Sequence, residues 1–146
     1  MNPPQFDHEK LRAYQEALRF AGWIEPVIEK LPAKLAARDQ LDRASTSIAL
    51  NLAEGKGKRS HPDRCRFLDI SRGSALECAA CLDVLVARKK LNADEIAEGK
   101  VLLVAIVSLL AGLIARFGGN LQEDPAAYGS ELVENENDHE KENDIK

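Results

Sequence analysis

The chain has 146 residues and a mass of 16.1 kDa, which suffices for one domain with an ordinary core and leaves little for a second. Because aromatic residues make up 5% of the chain and the hydrophobic set 45%, mainly Leu, Ile, Val and Ala fill the core, which favours packed helices over an aromatic-rich sheet. Three cysteines, an odd number, without a basic-then-apolar leader argue against secretion, so we expect a reduced, cytoplasmic protein whose net charge of −4 is unevenly placed.

A first helix is predicted close to the N-terminus. Asp7 is a candidate N-cap, and Leu11 and Tyr14 begin a series of apolar residues at the spacing of one helical face. Pro26 lies inside this segment, and its ring crowds the carbonyl group four residues earlier. We therefore expect a kink or an early end, with the segment finished by Leu31.

Two further helices follow, joined by a short basic turn. The second is predicted from Arg38 to Glu54 because its apolar residues share one face, and Gly55 is expected to end it in the left-handed conformation. The third is predicted from His61 to Leu91, after a cap in the turn. Short turns make neighbouring helices antiparallel.

A fourth helix is predicted between a cap at Asn92 and Phe117, and its residues 101–115 carry no charge. A membrane span needs about 18 to 20 such residues, so we expect none here. Only about three positions in seven of a bundle helix face the core, so this helix has surplus apolar surface, and we predict a homo-oligomer. The alternative is a helix buried wholly within one subunit. The expected interface residues are Val101, Val104, Val107, Leu109, Leu110 and Leu113.

The composition changes after the fourth helix. Residues 1–119 carry 18 Lys and Arg against 15 Asp and Glu, a net charge of +3, whereas residues 120–146 carry 2 against 9, a net charge of −7. The acidic segment has too few apolar residues to form a core. We predict a bundle domain over 1–119 and a disordered tail over 120–146. The tail either aids solubility or competes for the basic body.

The turn between the second and third helices is rich in cations. Between Gly55 and Arg72 stand six Lys and Arg residues and two Asp residues. A glycine-rich cationic turn followed by the free N–H groups of a helix N-terminus suits phosphate contacts. A solvated surface is the alternative, because no aromatic residues alternate with the cations. The residues expected to bind nucleic acid are Lys56, Lys58, Arg59, Arg64 and Arg66.

Polar stripes interrupt the apolar surfaces of the second and third helices. Buried polar groups need hydrogen-bond partners, so we expect a structural network across the two helices, in which arginines pair with the two carboxylates. Gly73 is expected to let the helices approach closely. The predicted members of the network are Arg43, Ser47, Asn51, Glu54, Ser74 and Glu77.

Several patterns of catalytic chemistry are missing from the sequence. Cys78 and Cys81 have a redox or zinc spacing but lie within a helix, where small buried apolar residues are the simpler interpretation. No Glu-x-x-His pair, phosphate loop or nucleophile elbow is present. We therefore expect no enzyme activity, catalytic residue, metal or cofactor. A hydrolase that uses Glu54 and Glu77 is the third hypothesis.

Two segments, QLDRASTSIALNLAEGKGKRS (40–60) and RFLDISRGSALE (66–77), resemble one bacterial family of four-helix bundles. This family includes proteins encoded in intervening sequences of large-subunit ribosomal RNA genes, and the resemblance spans residues 6 to about 117. It implies an all-α, antiparallel, up-and-down bundle that assembles into a ring-like homopentamer. It also implies kinship with proteins that accompany reverse transcriptases of diversity-generating retroelements, where a basic barrel engages the polymerase and nucleic acid.

The family's polar signature falls on one set of positions in this chain. They are Arg43, Ser47, Asn51, Glu54, Gly55, Gly57, Arg59, Gly73, Ser74 and Glu77. The sequence and the resemblance together predict a non-enzymatic, cytoplasmic homopentamer, not bound to a membrane, that binds structured RNA or DNA, or a nucleic-acid-handling partner, through its basic turn. The alternative is a protein–protein assembly scaffold that binds no nucleic acid.

Overall fold

The structure, a computed structural model, describes residue 3 and residues 5–118. The acidic segment predicted for 120–146, and the domain boundary placed at residue 119, lie outside the described residues. A short 3-10 helix precedes four α-helices. Their bounds are Asp7–Lys10 for the 3-10 helix, Arg12–Lys30 for α1, Ala36–Gly57 for α2, His61–Ala87 for α3 and Ala93–Phe117 for α4.

The helices form an up-and-down bundle in which each helix packs on its neighbours along the chain. α2 packs on α3, α3 packs on α4, and α1 closes the bundle against both α2 and α4. Connections of three to five residues join consecutive helices, so neighbours are antiparallel. The predicted all-α four-helix bundle is confirmed. One end of the bundle therefore holds the start of α1, the α2–α3 turn and the end of α4.

The core lies between the four helices and is filled mainly by branched aliphatic side chains. Burying such a side chain contributes about 1.5–3 kcal/mol to the free energy of unfolding. Phe20 is the one aromatic residue among the largest fully buried side chains that the structure describes, as the composition predicts. The fully buried aliphatic residues are Ile24, Leu41, Ile48, Leu52, Leu68, Leu82, Leu85, Leu103, Ile106 and Leu110.

The first helix begins and ends differently from its prediction. Asp7 starts the 3-10 helix and does not cap α1, because Leu11 is extended and separates the two elements. Pro26 does not end α1 early, since the helix continues to Lys30. Pro26 itself is exposed, and the buried side chains of Val27 and Ile28 hold the last turn of the helix against the core.

The two caps predicted for the later helices are present. Ser60 Oγ accepts a hydrogen bond of 3.2 Å from the backbone N–H of Asp63, at the start of α3. Asn92 Oδ1 accepts one of 2.8 Å from the N–H of Glu95, whose carboxylate accepts a hydrogen bond from the N–H of Asn92. Glu95 also forms an ion pair of 2.5 Å with Lys30, and this hydrogen-bonded contact lowers the pKa of the Glu95 carboxyl group.

Two glycines have roles opposite to those predicted. Gly55 does not end α2, which continues to Gly57, and no glycine among the described residues has a positive φ. Instead, a Cβ atom at Gly55 would lie 3.2 Å from the carbonyl oxygen of Arg64, so this glycine allows α2 and α3 to approach closely. A Cβ atom at Gly73 would have no neighbour within 4 Å, so its predicted role in close helix approach is wrong.

The α3–α4 turn contains the one positive-φ residue outside glycine in the described part of the chain. Lys89 has a φ of 61°. The third helix consequently ends at Ala87, earlier than the predicted Leu91. Leu91 is buried and belongs to the core although it lies beyond the helix.

α4 is apolar on its core face and on the opposite face. Leu110, predicted at the oligomer interface, is fully buried in the core, so that prediction is wrong. Val107, Leu109 and Leu113 are partly buried and pack against the core. Val101 and Val104 are 69% and 65% exposed, and they form the surplus apolar surface.

α4 also has the composition of a candidate membrane span. Within residues 5–118 it is the one helix long and apolar enough to cross a membrane, with a mean hydropathy of 2.2 over its most apolar window. The core helix of a soluble bundle passes the same test, so this property alone does not locate the protein.

A close contact between α1 and α4 was not predicted from the sequence. The six-membered ring of Trp23 lies over Gly99, where a Cβ atom would overlap the ring. Trp23 also contacts the buried ring of Phe20, with 5.8 Å between the ring centroids. Glycine at position 99 therefore makes room for the indole ring against α4.

Candidate nucleic-acid interface

The five cations predicted to bind nucleic acid gather at one end of the bundle, and we call them the basic rim: Lys56, Lys58, Arg59, Arg64 and Arg66. Two come from the end of α2 and its C-cap, one from the turn, and two from the first turns of α3. The turn is short because α2 runs to Gly57 and Ser60 caps α3 three residues later. The chain therefore folds its most basic segment into one compact surface.

Hydrogen bonds and ion pairs hold part of the basic rim in place. Arg64 Nε donates a hydrogen bond of 2.7 Å to the carbonyl oxygen of Lys58, which ties the turn to α3. Arg66 lies 3.4 Å from the carboxylate of Asp63, in an exposed pair that contributes well under about 1 kcal/mol. Among the described residues, Asp63 is the one carboxylate within ion-pair distance of a rim cation.

The ring of Phe117 at the end of α4 lies beneath two rim cations. The Nζ atom of Lys56 is 5.9 Å from the ring centroid, and the Cζ atom of Arg64 is 5.0 Å from it. His61 stacks at an angle on the same ring, with 5.4 Å between the centroids. Each cation–π contact contributes about 0.5–1 kcal/mol at such a site. These contacts hold cations together without neutralising their charge.

A second ring supports the other side of the basic rim. The Nζ atom of Lys58 is 4.8 Å from the centroid of Phe67, and the Cζ atom of Arg66 is 5.5 Å from it. The sequence analysis noted that no aromatic residues alternate with the cations, and it did not anticipate that two rings would lie against the rim cations themselves. Phe67 was visible beside Arg66 in the sequence, but Phe117 reaches the rim only because α4 ends at the turn between α2 and α3.

Two further cations lie at the same end of the bundle and were missed in the sequence. Arg12 at the start of α1 and Arg116 at the end of α4 are both exposed. They line an open cavity of about 190 Å³, together with apolar side chains of both helices. They extend the basic surface from the α2–α3 side to the α1–α4 side.

Three of the predicted network residues come together between α2 and α3. Ser47 Oγ and Ser74 Oγ are 2.7 Å apart, within hydrogen-bond distance across the two helices. Asn51 Nδ2 donates to Ser47 Oγ at 2.8 Å and to the Ser47 carbonyl oxygen at 2.9 Å. Ser71, which is fully buried, donates a 2.7 Å hydrogen bond to the carbonyl oxygen of Ile48. The cluster fixes the register of the two helices.

The three charged members of the predicted network do not join it. Glu54 and Glu77 are exposed, and Arg43 is exposed with its Nε 3.6 Å from the carboxylate of Asp39. Arg38, another arginine of α2, does not pair with either glutamate and instead donates a 2.9 Å hydrogen bond to the carbonyl oxygen of Ile28. Leaving a charge in water costs less than burying it, so the charged ends of the stripes turn outward.

The serines that hydrogen-bond between α2 and α3 and the exposed glutamates of the same two helices are expected to affect stability differently. Ser71→Ala and Ser74→Ala each remove a hydrogen bond between helices, and we expect each to lower the free energy of unfolding by about 1 kcal/mol. Glu54→Gln and Glu77→Gln change exposed groups, and we expect effects within about 0.5 kcal/mol. Urea unfolding followed by circular dichroism measures all four. Equal losses in both pairs would contradict the assignment of the carboxylates to the surface.

The cysteines lie in surroundings that disfavour the reactive thiolate. Burial, with smaller effects of Cys81 and Glu77, raises the pKa of Cys78 to about 12. Burial also raises the pKa of the Cys65 and Cys81 thiols. Across residues 5–118, no group of three or more His, Cys, Asp or Glu residues is placed to hold a metal ion. Cys78 and Cys81 therefore act as small buried side chains at neutral pH, whereas Cys65 is only partly buried.

The fold and the basic rim define a class of protein: a small four-helix bundle with a cationic α2–α3 turn at one end. The family model described as 23S rRNA-intervening sequence protein matches residues 9–112, and the chain belongs to this family. The resemblance found in the sequence is thereby confirmed.

A solved structure supports the fold. It is the crystal structure of a protein of unknown function from the S23 ribosomal protein family of Bacteroides thetaiotaomicron. The TM-score is 0.66 at 23% identity, and the match covers 70% of this chain and 97% of the other. No curated protein matches the chain. At this identity the likeness concerns the fold alone.

Proposed function

We propose that this protein is a non-enzymatic, cytoplasmic homopentamer that binds structured RNA or DNA, or a nucleic-acid-handling partner, through the basic rim. One observation carries the proposal: the rim places five cations on one surface with a single carboxylate in ion-pair distance among the described residues. Four of the cations lie over Phe67 or Phe117, which holds them in place while their charge stays available to an anion.

Phosphate groups fit this surface better than a small ligand does. The cations lie on and beside the turn between α2 and α3, and the N-terminus of α3 adds backbone N–H groups that favour negative charge. Such contacts position a nucleic-acid backbone without reading its sequence. The names of the family and of the similar structure refer to ribosomal RNA and ribosomal protein, so a structured ribosomal RNA fragment is a suitable first ligand.

Assembly would multiply the charge of the rim. Val101 and Val104 offer an apolar surface that a second subunit can cover, and a ring of subunits places the same turn at each position around its axis. Several weak phosphate contacts then act together, which raises affinity without any new contact.

The test is RNA binding against salt, with two matched variants. Lys56→Gln/Lys58→Gln/Arg59→Gln removes three rim cations, and Lys34→Gln/Arg88→Gln/Lys90→Gln removes three exposed cations at the other end. We expect the rim variant to lose roughly 100-fold in affinity for a fluorescent structured RNA at about 50 mM salt, with a shallower dependence on salt. The control should change affinity by less than about threefold.

Fluorescence anisotropy over a series of salt concentrations gives both quantities. The proposal fails when the wild-type protein binds neither RNA nor DNA at low salt. It also fails when the two variants lose the same affinity, because the overall charge of the protein would then explain the binding without any specific contribution from the basic rim.

The scaffold alternative has its own supporting observation. Leu50 on α2 is 61% exposed and Ile70 on α3 is 46% exposed, so this side of the bundle also presents apolar side chains. A protein partner bound there would show affinity that changes little with salt. Binding of this kind, without RNA binding, identifies the scaffold.

A further inference from the structure

We infer that the acidic segment 120–146 binds the basic rim of its own chain and competes there with nucleic acid. The contact itself follows from charge and chain connectivity, and its role as a competitor rests on the proposed function. The rim would then be a regulated surface, open only to a ligand that displaces the segment.

The chain leaves the bundle from within the rim. Phe117, the last residue of α4, is the ring that Lys56, His61 and Arg64 surround. The first carboxylate beyond it is Glu123, six residues further along the sequence. Six residues span at most about 20 Å when fully extended, which limits the distance from Phe117 to the first carboxylate. The acidic segment is therefore attached to the bundle at a residue that rim cations surround.

The charges of the two parts are complementary. Residues 120–146 carry 9 Asp and Glu against 2 Lys, whereas the five rim cations have Asp63 as their one described ion-pair partner. Carboxylates and phosphates bind arginine in the same bidentate way, so the segment offers the groups that the rim would recognise in nucleic acid. Attachment to the same chain gives it an effective concentration in the range of about 1 mM.

The order of the acidic residues strengthens the comparison with a nucleic-acid strand. In the sequence ENENDHEKEND, positions 134, 136, 138, 140, 142 and 144 are all Glu or Asp. Six acidic residues within eleven positions give this part of the segment a high density of single negative charges, as a phosphodiester backbone has.

The contact is tested without nucleic acid by zero-length carbodiimide cross-linking of the full chain. At low salt we expect amide links from the carboxylates of residues 131–144 to Lys56 and Lys58, in preference to Lys34, Lys89 and Lys90 at the other end. High salt should remove the preference. A mixture of isotopically light and heavy chains should give links within single chains. An even distribution over all lysines, or links mainly between chains, overturns the inference.

The competition is tested with two variants of equal charge. Glu136→Gln/Glu140→Gln/Glu142→Gln neutralises the segment in part, and Glu25→Gln/Glu29→Gln/Glu98→Gln neutralises three exposed carboxylates at the far end of the bundle. The first should bind the fluorescent RNA about tenfold more tightly than wild type at about 50 mM salt, and equally at about 300 mM. The second should resemble wild type throughout.

Equal gains in both variants, or no gain in the first, overturn the competition. Absence of RNA binding by every variant removes the proposed function, and with it the competition, while the cross-linking pattern still decides the contact by itself.

Discussion

Replacing Gly99 by alanine is expected to lower the free energy of unfolding by up to about 2 kcal/mol, which is the usual cost of about 1–3 kcal/mol for forcing extra volume into a packed site less the gain from alanine's higher helix propensity. The added Cβ atom would overlap the ring of Trp23, which is held between α4 and Phe20. The ring has to swing away from α4 and give up part of its packing. This cost exceeds the gain of about 1 kcal/mol that alanine brings as a better helix former.

Gly22→Ala is the matched control for this prediction. Gly22 precedes Trp23 on the same helix, is exposed, and has no atom within 4 Å of a Cβ placed there. We expect it to raise the free energy of unfolding by up to about 1 kcal/mol. In a Trp23→Leu background, Gly99→Ala should no longer destabilise the protein and should gain up to about 1 kcal/mol, as Gly22→Ala does, because the overlapping ring is gone. Urea unfolding of the five proteins measures the coupling, and a Gly99→Ala protein as stable as wild type contradicts the packing argument.

Local signals in the sequence predicted the elements of the fold. The caps at Ser60 and Asn92 and the compact basic turn depend on residues close together in the chain, and each is present in the structure. The glycines behaved differently, because the role of a glycine depends on which face of its helix meets a neighbour. Gly55 faces α3 whereas Gly73 faces open space, and only the packed bundle determines this difference.

The sequence also predicted only part of the candidate site, because it reveals residues that are close together in the chain and not those that the packed bundle brings together. The five rim cations lie within eleven residues of sequence, 56–66, so composition revealed them. Phe117, Arg12 and Arg116 reach the same end of the bundle only through its topology. The polar stripes show the opposite limit. Helical spacing placed Ser47 and Glu54 on one face, but spacing alone does not show where that face passes from the helix contact into solvent.

The double substitution Val101→Glu/Val104→Glu is expected to convert the proposed oligomer into monomers. Both side chains are largely exposed in the single subunit, so the fold has little reason to change, and we expect a loss of less than about 0.5 kcal/mol in subunit stability. In an apolar contact between subunits, two added carboxylates lose their hydration without gaining partners. The free-energy cost of dehydrating these carboxylates arises at every interface between subunits, so the total cost of assembly increases with the number of subunits in the ring.

Leu50→Glu/Ile70→Glu is the control, because it adds the same two charges to exposed apolar positions on the α2–α3 side. We expect this variant to keep the assembly. Sedimentation velocity at micromolar concentration measures the mass of each protein. A monomeric wild type contradicts the oligomer, and dissociation by the control alone moves the interface from α4 to the α2–α3 side.

The same two variants separate assembly from the chemistry of the rim. The monomeric Val101→Glu/Val104→Glu variant retains the cations of the basic rim, so it should still bind RNA, with a salt dependence set by the phosphate contacts of a single rim. Its affinity should nevertheless fall by about 100-fold or more, because the subunits no longer engage one RNA together. Equal affinity of monomer and oligomer would show that a single rim accounts for all of the binding, and that the ring contributes nothing to it.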